Sequence, residues 1–373
     1  MYIFAIILFA CFAFLEIFNK DFTERNKIIL ALICFMFLIF HDGLRWETGT
    51  DWIPYSNAYD FFNIGYSYAS DMTNFEPGYL CLMGASHLIS DDYTVYLVIH
   101  ALIFYTIFFF FIFKLSNFPF VSILLFYTIT LPYLGMNRQF IAMAIYAIAL
   151  IFLIQKKRML YLLFIFIAYF FHHSAIIAVF AIFFNKKIPN KYLIGILSLA
   201  LIIAMSGIIN KLSPAAALIL GGDLGNKADI YTNMTNNTSI ISTILSLIRK
   251  FIWIALILIF KDKIDDKDQK FNLFFNLYIL SCIIYVLFNN TPLQIIISRA
   301  LIYYNIAEIF IVTYALTIFK PNYGKLILMC VLTLYCGINI QKGFSNYAKE
   351  GFYDLFEPYK GIFINTDYVR QTH

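Results

Sequence analysis

The sequence has few charged residues: Asp, Glu, Lys and Arg make up 13% of the 373 residues, where about 25% is usual in soluble domains. A soluble chain needs more charge than this to cover its surface, so a soluble globular protein is excluded. The net charge of +5 is small, and no block of basic residues is flanked by aromatic residues. Nucleic acid is therefore not an expected partner.

Several chemical signatures are also missing. The six cysteines show no CxxC or Cys/His spacing, so neither a metal site nor a disulfide framework is predicted, and no cofactor is expected. The phosphate-binding motif GxxxxGK(S/T) is absent, which argues against ATP-driven transport by this chain. No internal repeat is visible, which counts against the inverted-repeat transporters.

What the sequence has in abundance is apolar surface. Hydrophobic residues form 61% of it, including 42 Phe and 27 Tyr. This composition is typical of an all-α polytopic membrane protein, because helices satisfy their own backbone hydrogen bonds within lipid. The N-terminal run has no basic region and no Ala-x-Ala-like cleavage site, so we predict a retained first span rather than a signal peptide.

A helix that crosses the hydrocarbon core needs about 20 apolar residues, with some tolerance. Ten apolar runs are predicted spans: 2–18, 27–41, 93–113, 118–134, 138–154, 192–209, 239–260, 271–288, 299–319 and 325–341. A further stretch, 159–184, is interrupted by His172, His173 and Ser174, and it predicts a helical hairpin with a polar tip or two short packed helices. Arg249 and Lys250 lie in the middle of the predicted span 239–260. The alternative interpretation is that they mark a break in that run.

The positions of Lys and Arg predict the orientation. Six short loops carry 16 of the 27 basic residues and are assigned to the cytoplasmic side: 19–27, 114–117, 155–158, 185–191, 261–270 and 320–325. Both termini and two long loops, 42–92 and 210–238, then lie on the outer face. Within the first long loop, 76–89 resembles a short amphipathic or re-entrant helix. The predicted organisation is a single transmembrane domain over 1–341 and an outer-face tail over 342–373.

Charged residues near span ends are candidates for function, because a central Arg or Lys costs about 2.5–3.5 kcal/mol on insertion scales. Arg45, Arg138 and Arg299 lie on three elements at the same predicted outer face, and Arg249 is a further candidate for binding. A guanidinium group stays charged and grips phosphate oxygens in a fork, so the trio predicts a site for an anionic headgroup, best a diphosphate. The alternative is that each arginine snorkels to the interface and caps an outer loop.

Carboxylates and histidines supply candidate bases. Asp51 and Glu76 lie in the first outer loop, and His172 or His173 in the polar tip could act as a general base near neutral pH. Asp51 beside Trp52 and Tyr55 resembles a sugar-binding surface, and His172 is a further candidate for substrate binding. The alternatives are that Asp51 is a helix N-cap and that the histidine pair only caps two short helices.

Five short motifs follow one another along the chain: RWETGTDWIPY, FEPGY, NRQFIAMAIYAIAL, AYFFHHSAII and SRALIYY. In this order and membrane placement they resemble the EpsG-like family, the Wzy-type polysaccharide and O-antigen polymerases of bacterial envelopes. The resemblance covers residues 40–310, and the tail motif FYDLFEPY is similar too. It implies an integral-membrane glycosyltransferase fold, mostly helical, with a catalytic cavity open to the outer leaflet.

The reaction that the resemblance implies is a block transfer without nucleotide sugar or metal. A growing glycan on undecaprenyl diphosphate moves onto the terminal sugar of a lipid-linked repeat unit. Arg138 and Arg299 would hold the diphosphate with Arg45 assisting, and Asp51, Glu76 or His173 would orient or deprotonate the acceptor hydroxyl. The implied location is the bacterial cytoplasmic membrane, with the active site facing the periplasm or cell exterior. Membrane lipid, a chain-length regulator and a flippase are the further implied partners.

Other functions share many of these features. A ligase would need the same diphosphate site and differ in its acceptor. A membrane O-acyltransferase of envelope glycans would suit the paired histidines, but it takes its acyl donor from inside, whereas the arginines are predicted outside. A lipid-linked oligosaccharide flippase or transporter would also have many spans and buried arginines, but the long outer loops and the lack of repeats count against it.

Overall fold

A computed structural model describes residues 1–209, 240–260, 264, 268–289, 291, 294–320, 323–349 and 351–371. Two compact units are present, one formed by 1–176 with 320–373 and the other by 177–319. The described residues contain no β-strand, only isolated bridges that join Arg45 to Gly361 and Gly361 to Ile364. The predicted all-α fold class is confirmed.

The first unit contains most of the helices. They are Tyr2–Phe18 (α1), Glu24–Gly43 (α2), Trp52–Asp60 (α3), Tyr66–Met72 (α4), Pro77–His87 (α5), Tyr93–Leu115 (α6), Pro119–Thr130 (α7), Asn137–Ile154 (α8), Arg158–Tyr169 (α9) and, at the other end of the chain, Tyr323–Lys349 (α14). The second unit contains Asn190–Met205 (α10), Ile240–Ile259 (α11), Gln269–Phe288 (α12) and Gln294–Thr317 (α13). Short 3-10 helices follow α3 and α7, and a longer one runs from His173 to Phe184.

The apolar runs predicted as spans are helical. In the part of the chain that the structure describes, five helices are long and apolar enough to cross a membrane: Glu24–Gly43, Tyr93–Leu115, Asn137–Ile154, Gln269–Phe288 and Tyr323–Ala348. Shorter apolar helices lie over the predicted spans 2–18, 118–134, 192–209 and 299–319. The chain is a polytopic membrane protein, as its composition predicts.

The interruption of 159–184 is confirmed, because α9 ends at Tyr169 and the 3-10 helix begins at His173. The alternative break at Arg249 and Lys250 is wrong, because α11 is continuous through both residues. The predicted helix within 76–89 is present as α5, whereas α3 and α4 were not predicted. The predicted loop 210–238 lies outside the described residues.

The loop 42–92 folds around an aromatic core. Its buried side chains and those at the start of α6 include Trp52, Tyr55, Tyr59, Phe62, Tyr79, Tyr93 and Tyr96. The Tyr79 and Tyr96 hydroxyls share a hydrogen bond, and the Tyr93 and Tyr96 rings stack with centroids 5.5 Å apart. Burial raises the pKa of Tyr79, and neighbouring Tyr96 adds to the effect, so this phenol stays neutral. These contacts hold α5 against a membrane-spanning helix.

Two glycine turns interlock just before α3 and α8. Gly49 has φ +102° and Gly135 has φ +111°, a region of backbone conformation that favours glycine. The Thr50 N–H donates to the Leu134 carbonyl at 2.8 Å. A Cβ on Gly135 would lie 2.6 Å from the Thr50 nitrogen, and one on Gly49 would lie 2.4 Å from the Leu134 oxygen. The two turns therefore fix where α3 and α8 begin relative to each other.

Gly135→Ala should destabilise the protein by about 2 kcal/mol or more, because strained backbone of this kind costs about 1–3 kcal/mol and the added Cβ also meets backbone atoms. The measurement is thermal unfolding of the purified protein in detergent. Gly195→Ala is the matched control, because a Cβ there meets nothing within 4 Å and alanine favours helix. Equal shifts in unfolding temperature for the two variants would contradict the interlock.

The C-terminal tail, residues 351–371, packs along the segment 44–49. Three backbone hydrogen bonds of 3.0 Å join them: Trp46 N–H to the Lys360 carbonyl, Gly49 N–H to the Leu355 carbonyl and Ile362 N–H to the Leu44 carbonyl. Lys360 Nζ also pairs with Glu47 Oε2 at 2.7 Å. The tail thereby holds the segment that carries Arg45.

Candidate functional site

Two of the predicted site residues in the first unit, one acidic and one basic, are in contact at the starts of α5 and α8. Glu76 is the N-cap residue of α5, and Arg138 lies in the first turn of α8. Arg138 Nη1 donates to Glu76 Oε2 at 2.8 Å, which makes an ion pair. The Glu76 side chain is 4% exposed and that of Arg138 is 23% exposed. The carboxylate is therefore buried, while part of the arginine side chain remains accessible.

His173 joins this pair through the second carboxylate oxygen. The His173 backbone N–H donates to Glu76 Oε1 at 3.0 Å, and the ring Nδ1 lies 3.7 Å from the same oxygen. The His173 side chain is 63% exposed, and the Tyr169 ring lies beside it with centroids 4.7 Å apart. Three residues singled out from the sequence thus form one group, the Glu76 cluster: Glu76, Arg138 and His173.

A backbone contact places the polar tip at the start of α5. The Gly78 N–H donates at 2.9 Å to the carbonyl of Phe170, just after α9 ends. The chain then turns, and the residues that follow reach the Glu76 carboxylate. Burial of an ionised carboxylate is unfavourable unless it is paired and hydrogen-bonded, and both Glu76 oxygens are hydrogen-bonded here.

Arg138 is oriented by aromatic side chains as well as by Glu76. Its Nε donates to the Tyr55 hydroxyl at 3.0 Å, and the guanidinium carbon lies 4.4 Å from the centre of the Phe75 ring. Contacts of this kind stabilise a cation by about 0.5–2 kcal/mol. Among the described residues, none accepts a hydrogen bond from Nη2. One edge of the guanidinium is therefore without a hydrogen bond to the described residues, while the bonds of its other nitrogens fix its direction.

The predicted sugar platform is buried. Asp51 occupies the N-cap position of α3, although its side chain does not cap the helix. Trp52 and Tyr55 are 7% and 3% exposed and belong to the aromatic core. The more exposed aromatic residue of this segment is Trp46, whose ring centroid lies 4.8 Å from that of Trp52. Sugar binding by Trp52 and Tyr55 stays a prediction. In the structure the Tyr55 hydroxyl accepts a hydrogen bond from Arg138.

Arg45 is buried, with 1% of its surface exposed. Its guanidinium donates to three acceptors of the first unit: the Thr48 carbonyl at 3.1 Å, the Asp42 carbonyl at 2.9 Å and Asn137 Oδ1 at 2.9 Å. These bonds offset the unfavourable burial of the cation. Direct contact between Arg45 and a diphosphate would require them to open, and it stays a prediction.

His172 forms a local cap at the polar tip. Its Nδ1 lies 2.7 Å from Ser174 Oγ and accepts the Ser174 N–H at 3.1 Å, while Gln139 Nε2 donates to the same hydroxyl at 3.3 Å. A histidine beside a serine hydroxyl has the form of a base and nucleophile pair. The additional bond from the backbone N–H identifies it instead as a turn at the start of the 3-10 helix. Substrate binding by His172 stays a prediction.

Arg249 and Arg299 lie in the second unit, on α11 and α13, and both are half-buried. The adjacent Lys250 is 5% exposed, and its Nζ donates to Asn305 Oδ1 at 3.3 Å. Charged groups inside apolar helices are commonly functional. That Arg249 and Arg299 act together with the Glu76 cluster stays a prediction.

Four residues beside the cluster were not predicted, although each is close in sequence to a predicted one: Phe75, Asn137, Gln139 and Tyr169. Phe75 precedes Glu76 in FEPGY, and Asn137 and Gln139 flank Arg138 in NRQ. The signal that could have found them is their place inside these motifs. No group of three or more His, Cys, Asp or Glu that could hold a metal occurs in the described part of the chain.

Comparison with known proteins gives a family match. The model of the EpsG family matches residues 28–360, a range that contains the whole Glu76 cluster. No curated protein and no solved structure matches the chain.

Proposed function

Because the chain belongs to the EpsG family, and so has a polymerase-like role in polysaccharide biosynthesis, we propose that it lengthens an envelope polysaccharide by block transfer. The donor is a growing glycan on undecaprenyl diphosphate. The acceptor is the terminal sugar of an incoming lipid-linked repeat unit. The products are a glycan that is one repeat longer and free undecaprenyl diphosphate, which makes the chain an integral-membrane glycosyltransferase.

The observation that carries the proposal is the joining of His173, Glu76 and Arg138 in one cluster. Glycosyl transfer from a diphosphate needs a base for the acceptor hydroxyl and a cation for the leaving group. The exposed His173 ring suits the first task, and the open edge of Arg138 suits the second. Both side chains lie within 3.7 Å of the same carboxylate, so one buried anion supports the two roles.

In the proposed step, the acceptor oxygen forms a bond to the anomeric carbon of the donor sugar while its proton passes to the His173 imidazole. The bond between that carbon and the diphosphate oxygen breaks, and the electron pair leaves with the diphosphate. Arg138 stabilises the negative charge that develops on this oxygen. The His173 ring, whose Nδ1 lies 3.7 Å from Glu76 Oε1, then releases the proton to water.

We assign the role of base to His173 rather than Glu76. Each Glu76 oxygen already accepts a hydrogen bond, and the side chain is 4% exposed, so the carboxylate is poorly placed to reach an acceptor hydroxyl. Asp51 is kept as the alternative base. Asp51→Asn, compared with His173→Ala, distinguishes them, because only replacement of the base removes proton transfer.

We further propose that the Glu76 cluster faces the periplasm or cell exterior from the bacterial cytoplasmic membrane. The basic short loops of the sequence support this orientation. The product is then O-antigen, capsule or exopolysaccharide. An enzyme of this kind receives its repeat units from a flippase and works beside a chain-length regulator.

Deletion of the gene in its native strain tests the proposal. Lipid-linked glycans and envelope polysaccharide are compared after complementation with wild type, Arg138→Ala and Arg158→Ala. We expect loss of long polymer and accumulation of single lipid-linked repeats on the outer face. Wild type and Arg158→Ala should restore the polymer, and Arg138→Ala should not. Arg158 is the matched control, because it is an exposed arginine at the start of α9.

Two outcomes of the deletion would replace this proposal. Polymer of unchanged length that lacks an acyl group would indicate the acyltransferase. Repeat units trapped on the inner leaflet would indicate the flippase. The first outcome differs from the expected result in the chemistry of the polymer. The second differs in the membrane leaflet on which the repeat units accumulate.

The purified protein should keep its activity in EDTA, because an arginine rather than a metal ion offsets the charge of the leaving diphosphate in this proposal. The measurement is the rate of polymer formation from lipid-linked repeat units in proteoliposomes, before and after chelation. A loss of rate that is reversed by adding a divalent cation would contradict this expectation. The carboxylates Asp51 and Glu76 would then be the first candidate ligands.

A further inference from the structure

Asn137, the first residue of α8, is the centre of a buried hydrogen-bond group that the proposed chemical step does not use. Its Oδ1 accepts from Arg45 Nη2 at 2.9 Å, and its Nδ2 donates to the Tyr93 hydroxyl at 3.2 Å. The Asn137 carbonyl lies 3.0 Å from His100 Nε2. We name Arg45, Tyr93, His100 and Asn137 the Asn137 hub.

The hub is shielded from solvent. Arg45 and Asn137 are each 1% exposed, and His100 and Tyr93 are 3% and 5% exposed. Buried polar networks whose members are hydrogen-bonded rigidify the surrounding structure, since any other arrangement leaves a polar group unpaired. The hub therefore joins three separate parts of the first unit in one geometry: the segment after α2, the start of α6 and the start of α8.

Arg138 follows Asn137 directly in the chain. The hub fixes the first residue of α8, and Tyr55 and Glu76 fix the guanidinium at the far end of the Arg138 side chain. Arg45 is itself held by the carbonyls of Asp42 and Thr48. The direction of Arg138 is thus set from both ends, by its backbone and by its tip.

We propose that the Asn137 hub positions Arg138 and that Arg45 and Asn137 are positioning residues rather than ligands of the substrate. The effect that this inference predicts on kcat rests on the proposed function, whereas its effect on the geometry of Arg138 does not. This proposal gives Arg45 a positioning role in place of the direct contact with the diphosphate that the resemblance implies.

Two substitutions of Asn137 separate positioning from simple loss of stability. Asn137→Leu removes the acceptor for Arg45 and the donor for Tyr93. Asn137→Asp keeps an acceptor for Arg45, and the Tyr93 hydroxyl can turn to donate to the second carboxylate oxygen. We expect Asn137→Leu to lower kcat about 10- to 100-fold, because a displacement of about 1 Å costs that much, and Asn137→Asp to rescue most of the loss.

Thr128→Val is the matched control. Thr128 is fully buried in the same unit, and its hydroxyl donates to the Leu124 carbonyl one turn earlier in α7 at 2.8 Å. This variant should keep the wild-type kcat and KM. In an Arg138→Ala background, Asn137→Leu should cause no further loss, because a residue that acts through Arg138 has nothing left to position.

A measurement independent of activity tests the geometry. Purified protein is treated with phenylglyoxal, which modifies guanidinium groups, and the modification rate of Arg138 is followed by mass spectrometry with Arg158 as the internal reference. We expect Asn137→Leu to change the Arg138 rate at least threefold. Asn137→Asp and Thr128→Val should leave it unchanged. If Asn137→Leu does not fold, Tyr93→Phe, which removes one hub bond, takes its place.

The outcomes separate this inference from the proposed function. Unchanged Arg138 modification in Asn137→Leu, or equal effects of Asn137→Leu and Asn137→Asp on kcat, would overturn the positioning role. A wild-type protein that does not polymerise repeat units would overturn the proposed function. In that case the phenylglyoxal result still decides whether the hub positions Arg138.

Discussion

Arg138→Ala should lower kcat for chain extension by a factor of about 10²–10³, the usual cost of removing one preorganised donor from a developing negative charge. The arginine is held by Glu76, Tyr55 and Phe75 with one edge of its guanidinium left open. Its loss should affect kcat more than KM, because the charge it meets grows as the bond to the diphosphate breaks. The measurement is polymer formation from lipid-linked repeat units in proteoliposomes.

Arg138→Ala also leaves the buried Glu76 carboxylate without its ion-pair partner, which is destabilising in its own right. The double variant Arg138→Ala/Glu76→Gln removes that charge and should fold as well as wild type while remaining inactive. Arg138→Lys keeps the charge but loses the fork, so its kcat should lie between those of wild type and Arg138→Ala. Wild-type rates for the double variant would show that Arg138 serves only to neutralise Glu76.

Most of the fold was predictable because a helix needs about 20 apolar residues to cross the bilayer, so the length of an apolar run indicates whether it can span the membrane. Long apolar runs such as 93–113 and 138–154 have few alternatives to a spanning helix. The break in 159–184 was predictable for the same reason, since His172, His173 and Ser174 interrupt an otherwise apolar stretch. The helices α3 and α4 could not be predicted in this way. They are short, and the burial of aromatic side chains such as Trp52 and Tyr59 against other elements stabilises them.

The candidate site was predictable as a set of residues but not as a set of contacts. Motif order and membrane placement brought Glu76, Arg138 and His173 to one predicted face. His173 meets Glu76 next to the bond between the Gly78 N–H and the Phe170 carbonyl, which no residue type encodes. Long-range backbone contacts of this kind are invisible to periodicity and spacing.

Two sequence interpretations concern residues whose burial could not be foreseen. An arginine after a span looks like an interfacial charge, yet Arg45 is buried and donates to Asn137 on α8 as well as to two nearby backbone carbonyls. Trp52 beside an acidic residue looks like a sugar platform, yet it packs against Trp46 and Tyr93. In both cases segments distant in sequence cover the side chain, so local sequence could not decide between exposure and burial.

His173→Ala should lower kcat by a factor of about 10²–10⁴, the usual contribution of a positioned general base, with little change in KM. The substitution leaves the bond from the residue 173 backbone N–H to Glu76 Oε1 in place, so the ion pair with Arg138 should persist. Because the His173 side chain is 63% exposed, its removal opens space that solutes can reach. Added imidazole should therefore restore part of the activity of His173→Ala.

The rescue experiment separates a base from a structural histidine. The rate of chain extension by His173→Ala is measured as imidazole is added, and His173→Gln, which has no basic ring nitrogen and fills the space, should respond less. His87→Gln is the control, because His87 lies at the end of α5 and contacts Asn63 and Asp91 rather than the Glu76 cluster. If imidazole rescues neither variant while Asp51→Asn abolishes activity, the base is Asp51, and His173 serves through its backbone N–H alone.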